Sequence, residues 1–166
     1  YGILRIANPY GEGQWPNRGQ GAVAVFAYRA LRDETIEIWG NGNVIRDYLY
    51  VGDVIAAFIK AMHYEGDERI FNIGSGGKGC SVNELLTTLE AIIGHPINRK
   101  HLPARDFDPP VNVLDIERAR NELGWAPQTP LLDGLRRTVQ WLSSYAHNNV
   151  STPVCIGTDV VPPVVR

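Results

Sequence analysis

Residues 40–62 read GNGNVIRDYLYVGDVIAAFIKAM, and three structural signals follow one another within them. The glycines and asparagines of 40–43 predict a turn, and residues 46–50 then predict an extended segment. Apolar side chains recur beyond it at helical spacing. They predict one apolar helix face, made of Val51, Ile55, Phe58, Ile59 and Met62. A turn, a strand and a helix in this order are typical of an α/β fold.

Strand and helix patterns also alternate on both sides of this stretch. Short apolar or alternating runs predict three more strands, at 2–6, 35–39 and 69–73. Periodicity and capping residues predict four more helices, at 22–31, 82–93, 116–123 and 130–145. The alternation indicates an α/β architecture. Residues 12–21 predict a long loop, and loops of that length in compact domains are usually functional.

The composition limits the classes of protein that this chain can belong to. It has 166 residues, of which 44% are hydrophobic and 20% are charged, which favours one folded domain or part of a larger one. Sixteen basic and eighteen acidic residues give a net charge of −2 without a block of one sign, so neither nucleic acid nor a membrane surface is an expected partner. No apolar run approaches the roughly 18 residues of a membrane span. Two cysteines and no secretory signal pattern favour a reducing, cytoplasmic setting.

Residues 74–79, GSGGKG, match the G-x-G-x-x-G pattern of dinucleotide-binding loops. The following helix, however, is predicted to begin at the Ser81 cap and not at the third glycine. About 20 residues further on, where such sites carry an acidic residue, the sequence has Asn98, Arg99, Lys100 and His101. A flexible turn is therefore the preferred interpretation of this loop.

Two arginines are candidates for binding phosphate. Arg46 follows the glycine turn, and Arg105 lies in a loop stiffened by prolines. Each arginine by itself is most simply a surface residue paired with a carboxylate, but the two together with the Asn8 turn fit a diphosphate site better. Trp39 is a candidate for stacking on a base, although tryptophan more often packs in a core. Asp53, at a helix start, is interpreted as a dipole or capping residue.

No catalytic or metal centre is predicted from the residues directly. The four histidines are scattered without metal-ligand spacing, so no metal is expected. The sequence also contains no G-x-S-x-G elbow of a serine hydrolase.

Five segments in a fixed order resemble the extended short-chain dehydrogenase family, the NAD-dependent epimerases and dehydratases. Residues 4–11, LRIANPYG, are similar to its R-x-x-N-x-Y-G segment. Residues 40–53 resemble its G-x-G-x-x-x-R-D-Y-x-x-V-x-D segment, and residues 71–74 resemble its F-N-I-G strand. Residues 105–108 and 123–127 resemble its closing R-x-x-D and L-G-W-x-P signals. Within the family, UDP-glucose 4-epimerase-like enzymes are the most similar.

The resemblance covers residues 1–146 and only the C-terminal half of such an enzyme. It implies an α/β substrate-binding portion of a Rossmann-type fold at 1–147, with the nucleotide-binding half absent and an extended tail at 148–166. Segments 1–11 and about 48–75 are then expected to pack on the missing Rossmann domain. The catalytic Tyr-x-x-x-Lys pair is expected upstream of Tyr1, since no tyrosine here has a lysine four residues later.

The resemblance also assigns residues to the cofactor and the substrate. NAD would be bound mainly by the missing half, with Ile6 and Pro9 approaching the nicotinamide. Asn8 would bond a phosphate or sugar oxygen, and Gln20 and Gly21 would line the diphosphate.

The remaining assignments concern the nucleotide itself. Arg46 and Arg105 would clamp the diphosphate, and Asp108 would reach a ribose hydroxyl. Glu37 and Trp39 would flank the uracil, while Tyr48 and Cys80 would border the nucleotide.

The expected function is nucleotide-sugar binding within a UDP-sugar 4-epimerase, an enzyme that transiently oxidises C4 of the sugar and returns the hydride. The chain would not be catalytic by itself, and the full-length enzyme is a possible homodimer. Two alternatives stay open. One is half of a nucleotide-sugar 4,6-dehydratase or decarboxylase, and the other is a non-catalytic sugar-nucleotide binding protein.

Overall fold

The computed structural model describes residues 1–16, 21–105 and 108–148. Its five helices are α1 (Ala22–Leu31), α2 (Val51–Met62), α3 (Val82–Ile93), α4 (Glu117–Leu123) and α5 (Leu131–Asn148). Its first five strands are β1 (Ile3–Ile6), β2 (Asn8–Tyr10), β3 (Ile36–Trp39), β4 (Ile45–Arg46) and β5 (Tyr48–Tyr50). The other four are β6 (Ile70–Ile73), β7 (Cys80–Ser81), β8 (Arg99–Leu102) and β9 (Val111–Asn112). The predicted mixed α/β architecture is thereby confirmed.

The strands form four small sheets. β1 pairs with β6, β2 with β5 and β3 with β8, each pair parallel. The fourth sheet has the order β7-β4-β9, with β4 antiparallel to β7 and parallel to β9. Parallel pairs need crossover connections, and α1 and α2 lie in two of these connections.

Two apolar cores lie under these sheets. The first joins α1, α3 and α5 through buried side chains such as Val23, Leu86 and Leu135. The second joins β1, β6, α2 and α4 through residues such as Phe71 and Trp125. The chain therefore buries its helices against one another on one side and against the β1–β6 pair on the other.

Local signals set the ends of α3. Ser81 and Glu84 form the predicted capping box, in which each side chain bonds the backbone N–H of the other residue. The helix ends at Gly94, whose φ of 91° lies in the left-handed region that glycine adopts without a Cβ clash.

The glycine loop at 74–79 is shaped by packing. A Cβ at Gly76 would lie 2.6 Å from Ile116, and one at Gly79 would lie 2.6 Å from Ile45, while both glycines have positive φ. Strand β7 separates the loop from α3, so the helix N-terminus does not open on the glycines. This geometry favours the turn over a dinucleotide-binding loop.

Asp53 has a different role from the one suggested by its position. It does lie in the first turn of α2, but its buried carboxylate accepts hydrogen bonds from the backbone N–H groups of Gln128 (3.0 Å) and Thr129 (3.1 Å). Its carbonyl oxygen also accepts from the Trp125 indole at 3.0 Å. Asp53 thus fixes the segment that leads into α5.

The predicted apolar face of α2 is exposed except at Val51, which packs against the first core. Ile55, Phe58, Ile59 and Met62, here called the α2 outer face, are between 48% and 74% exposed. The opposite side of the helix buries Val54 and Ala57. An exposed patch of this kind is unusual for a surface that faces water only.

We predict that Asp53→Asn lowers the free energy of unfolding by about 1–3 kcal/mol, because one buried backbone N–H loses its carboxylate acceptor. Urea denaturation measures the change, and Asp67→Asn, at an exposed aspartate, is the control. Equal effects of the two substitutions would contradict the role assigned to Asp53.

Candidate functional site

The parallel pair β2–β5 places Asn8 directly beside Tyr48. The backbone N–H and the side-chain amide of Asn8 both donate to the carbonyl oxygen of Asp47, at 2.8 and 3.1 Å. Arg46, one residue earlier, ends the short strand β4. Three polar side chains from separate segments are thereby gathered at one edge of the molecule.

A cavity of about 360 Å³ opens at this edge. Its lining includes Asn8, Pro9, Gln14, Gly21, Arg46 and Tyr48, and it is called the asparagine cavity below. Tyr48 is buried, and burial raises the pKa of its hydroxyl to about 12, so this group stays protonated at neutral pH. The cavity offers uncharged hydrogen-bonding groups on one side and the Arg46 guanidinium on the other.

A second cavity, of about 510 Å³, lies between the end of β3 and the loop before β9. Its lining includes Trp39, Asn41, Arg105, Asp108 and Pro110, and it is called the tryptophan cavity below. Trp39 is 43% exposed, with the Arg105 guanidinium carbon 3.9 Å from the centre of its ring. An exposed indole that already stacks on a planar cation offers a surface for a flat aromatic ligand.

Arg46 connects the two cavities. It lines the asparagine cavity, and its guanidinium pairs with Asp108 of the tryptophan cavity at 3.3 Å. The same guanidinium donates to the carbonyl oxygens of Ile45 (2.9 Å) and Pro109 (2.8 Å). These contacts hold a cation in place between a site for an aromatic ring and a site for a polar group.

Cys80 lies opposite Arg46 in the antiparallel β4–β7 pair. It lines a third cavity, of about 460 Å³, whose other walls include Tyr48, Lys78 and Thr129. Burial, reinforced by the negative charge of Glu84, raises the pKa of the Cys80 thiol to about 11. Cys80 is therefore a neutral, poorly reactive thiol at physiological pH.

The structure brings together eight of the twelve residues predicted for the site. Five line the asparagine cavity and three line the tryptophan cavity: Asn8, Pro9, Gly21, Arg46 and Tyr48, then Trp39, Arg105 and Asp108.

The other four predicted residues lie elsewhere. Cys80 lines the third cavity, and Ile6 packs against the second core. Glu37 is exposed on β3, two residues before Trp39, and lines neither of the first two cavities. Gln20 lies outside the described residues.

Two residues of this region received no site role from the sequence. One is Asp47, whose buried carboxylate accepts hydrogen bonds from two distant backbone segments. Gln14 belongs to the long loop at 12–21, and its unusual length was the signal that pointed to function.

Two further searches of the described residues were negative. They contain no cluster of three or more histidine, cysteine, aspartate or glutamate side chains placed to hold a metal ion. Nor does this part of the chain include a helix with the length and apolar character needed to cross a membrane.

Comparison with known proteins gives this geometry a context. The structure superposes on that of UDP-glucose 4-epimerase from Thermotoga maritima, solved with UDP-glucose, with a TM-score of 0.83 and 40% identity. The match covers 88% of this chain and 47% of that one.

Two curated relatives match a comparable stretch. UDP-glucose 4-epimerase of Mycolicibacterium smegmatis is 38% identical over 81% of this chain and 43% of its own length. The dTDP-4-dehydro-6-deoxyglucose reductase of Escherichia coli is 38% identical over 82% of this chain and 43% of its own length. The chain thus spans less than half the length of the relatives it matches.

The mixed α/β fold is similar to that of Rossmann-type UDP-glucose 4-epimerases. Residues 1–74 match the model of the NAD dependent epimerase/dehydratase family. The chain belongs to that family.

We predict that Cys80 is alkylated by iodoacetamide at pH 8 at least about ten-fold more slowly than a free cysteine, because a raised pKa leaves little thiolate at that pH. The rate should climb between pH 9 and 11, as the thiol approaches its pKa of about 11. Mass spectrometry of the Cys80 peptide measures it, with the urea-unfolded chain as the control. A rate that matches the unfolded chain at pH 8 would be incompatible with a buried neutral thiol.

Proposed function

We propose that this chain is the nucleotide-sugar binding half of an NAD-dependent UDP-sugar 4-epimerase of the cytoplasm. The observation that carries the proposal is the position of Arg46 between the two cavities. A nucleoside diphosphate sugar has the same order of parts: a flat base, two phosphates and a polar sugar. In the tryptophan cavity, the Trp39 ring would stack on the base while Asp108 accepts from a ribose hydroxyl.

The diphosphate would lie at the guanidinium groups. Arg46 and Arg105 each present a planar fork that matches phosphate oxygens. Arg105 lines the tryptophan cavity, and Arg46 reaches it through its ion pair with Asp108. The sugar would then occupy the asparagine cavity, beside Asn8, Gly21 and Tyr48. The Thermotoga maritima epimerase, solved with UDP-glucose and 40% identical to this chain, supports a UDP-sugar as the ligand.

The residues of this chain fit only the nicotinamide end of NAD. Pro9 lies at the asparagine cavity and supplies apolar surface against which a ring can pack, whereas Ile6 packs against the second core. The glycine loop does not open a helix, so the described residues offer no cradle for the dinucleotide diphosphate. When bound, NAD would accept and return the hydride, and this chain would hold the sugar and exclude water.

The missing half would also explain the α2 outer face. β1 pairs with β6 along one edge, and among the described residues its other edge has no strand partner. Ile3 on β1 is 44% exposed, and each of the four residues of the α2 outer face is at least 48% exposed. In this proposal the nucleotide-binding half extends the sheet from β1 and covers that apolar patch. A homodimer of the full-length enzyme stays a prediction.

A dTDP-sugar reductase half is the second candidate, because the E. coli reductase is as similar to this chain as the M. smegmatis epimerase. A dehydratase or decarboxylase half and a non-catalytic binding protein remain alternatives. The base separates the first two candidates: tighter binding of UDP-glucose than of dTDP-glucose favours the epimerase, and the reverse order favours the reductase.

We predict that Arg46→Ala weakens UDP-glucose binding by about 10- to 100-fold, the worth of a charge-assisted phosphate contact. The affinity of the variant for uridine, which has no phosphate, should fall much less. Titration calorimetry of both ligands measures the split. Arg136→Ala, at an exposed arginine of α5, is the control.

Arg46→Lys keeps the positive charge but lacks the planar fork, so its affinity for UDP-glucose should lie between those of the wild type and the alanine variant. Equal losses for uridine and UDP-glucose would contradict the phosphate role of Arg46. If the wild-type chain bound neither UDP nor UDP-glucose, the proposed function would be wrong.

We further predict that the chain by itself is poorly stable and self-associates, because the α2 outer face meets water. The triple substitution Ile55→Asn, Ile59→Asn, Met62→Lys should reduce self-association in size-exclusion chromatography. Leu132→Asn, at an exposed leucine of α5, should not. A cooperative, high-temperature melt of a monomeric wild-type chain would argue against a missing partner domain.

A further inference from the structure

Gln14 forms part of the wall of the asparagine cavity, between Pro9 and Gly21. Its amide nitrogen donates to the carbonyl oxygen of Pro9 at 3.2 Å. On its other side the amide packs against Gly21, where a Cβ would lie 2.5 Å from the amide nitrogen and oxygen alike. Gly21 also has a φ of 85°, a backbone conformation that favours glycine. Within the described residues, the Gln14 side chain is therefore packed between Pro9 and Gly21.

The amide oxygen of Gln14 is buried and has no hydrogen-bond partner among the described residues. An unsatisfied buried acceptor costs about 1–3 kcal/mol, which folded proteins rarely tolerate without a reason. Turning the amide over does not relieve it, because the oxygen would then face the Pro9 carbonyl, which is also an acceptor. The side chain is held in an orientation that leaves one acceptor unused.

A second unused group lies in the same cavity. The hydroxyl of Tyr48, a residue only 8% exposed, makes no hydrogen bond to any of the described residues. Its raised pKa keeps its proton in place at neutral pH. The residues that line the cavity thus include one unpaired acceptor and one hydroxyl donor, the two kinds of group that recognise hydroxyls.

The chemistry of the acceptor selects the ligand group. An amide oxygen needs a donor, and the ionised phosphates of a nucleotide have none at neutral pH. The base would lie in the tryptophan cavity, on the far side of Arg46. We infer that the Gln14 amide oxygen accepts a hydrogen bond from a hydroxyl of the hexose, which makes Gln14 a specificity-determining residue for the sugar. This inference rests on the proposed function.

The test compares UDP-glucose with UDP on the wild type and on Gln14→Met, which keeps the length of the side chain and removes the amide. UDP-glucose affinity should fall by about five- to ten-fold, the worth of one hydrogen bond, while UDP affinity stays constant. The control is Gln128→Met, since Gln128 also donates to a nearby carbonyl, that of Ala126, but lies outside the asparagine cavity. Thermal melts check that both variants fold.

A set of UDP-deoxyglucoses separates direct contact from loop damage. Removal of the hydroxyl that Gln14 binds should weaken the wild type by the same five- to ten-fold factor and should not weaken Gln14→Met further. If Gln14→Met and every sugar deoxygenation reduced the affinity independently, so that their factors multiplied, the role of Gln14 would be wrong. The same holds if Gln14→Met weakened UDP and UDP-glucose binding equally. Either result would leave the proposed function standing. Failure of the wild type to bind either ligand would overturn both.

Discussion

The buried carboxylate of Asp47 is the constraint on which the site depends. One of its oxygens accepts from the Ser75 N–H at 2.8 Å, and the other accepts from the Leu114 N–H at 3.1 Å. Its carbonyl oxygen holds both amide groups of Asn8. A single residue thereby ties β2, the glycine loop and the segment after β9 to the strand that carries Arg46. Glycine at 74 is part of the same constraint, because a Cβ there would collide with the Asp47 carboxylate.

This arrangement explains why so short a strand as β4 can position the Arg46 side chain. Two residues of β4 pair with β7 on one side and with β9 on the other. One guanidinium nitrogen of Arg46 donates hydrogen bonds to two backbone carbonyl oxygens, which restricts the conformation of the side chain. An arginine that is already fixed loses less conformational entropy when it binds an anion. Apart from the bond to the Ile45 carbonyl, this rigidity comes from segments more than 25 residues away in sequence.

Local sequence signals predicted the helices well and the short strands poorly. The predicted bounds of α1 and α2 are those of the structure, because periodicity and turn residues are local properties. β7, β8 and β9 carry no comparable signal and exist only through pairing with distant strands. In the same way, the residues suggested Arg46, Arg105 and Asn8 as separate candidates. Their grouping with Trp39 and Asp108 came from the family resemblance, and Gln14 and Asp47 needed the structure, since an unpaired oxygen or a buried carboxylate leaves no mark in a sequence.

The net charge of the chain does not describe the charge at the candidate site. A charge of −2 spread over 166 residues argues against a polyanion as partner. At the tryptophan cavity, however, Arg46 and Arg105 are opposed by Asp108 only, among the described residues that line it or pair there. Among these described side chains, two positive charges face one negative charge. A small dianion responds to this local field and not to the total charge, since charges beyond about 10 Å are largely screened at ordinary ionic strength. In the proposed function, two phosphates would be held at these guanidinium groups even though the total charge gives a long polyanion no attraction.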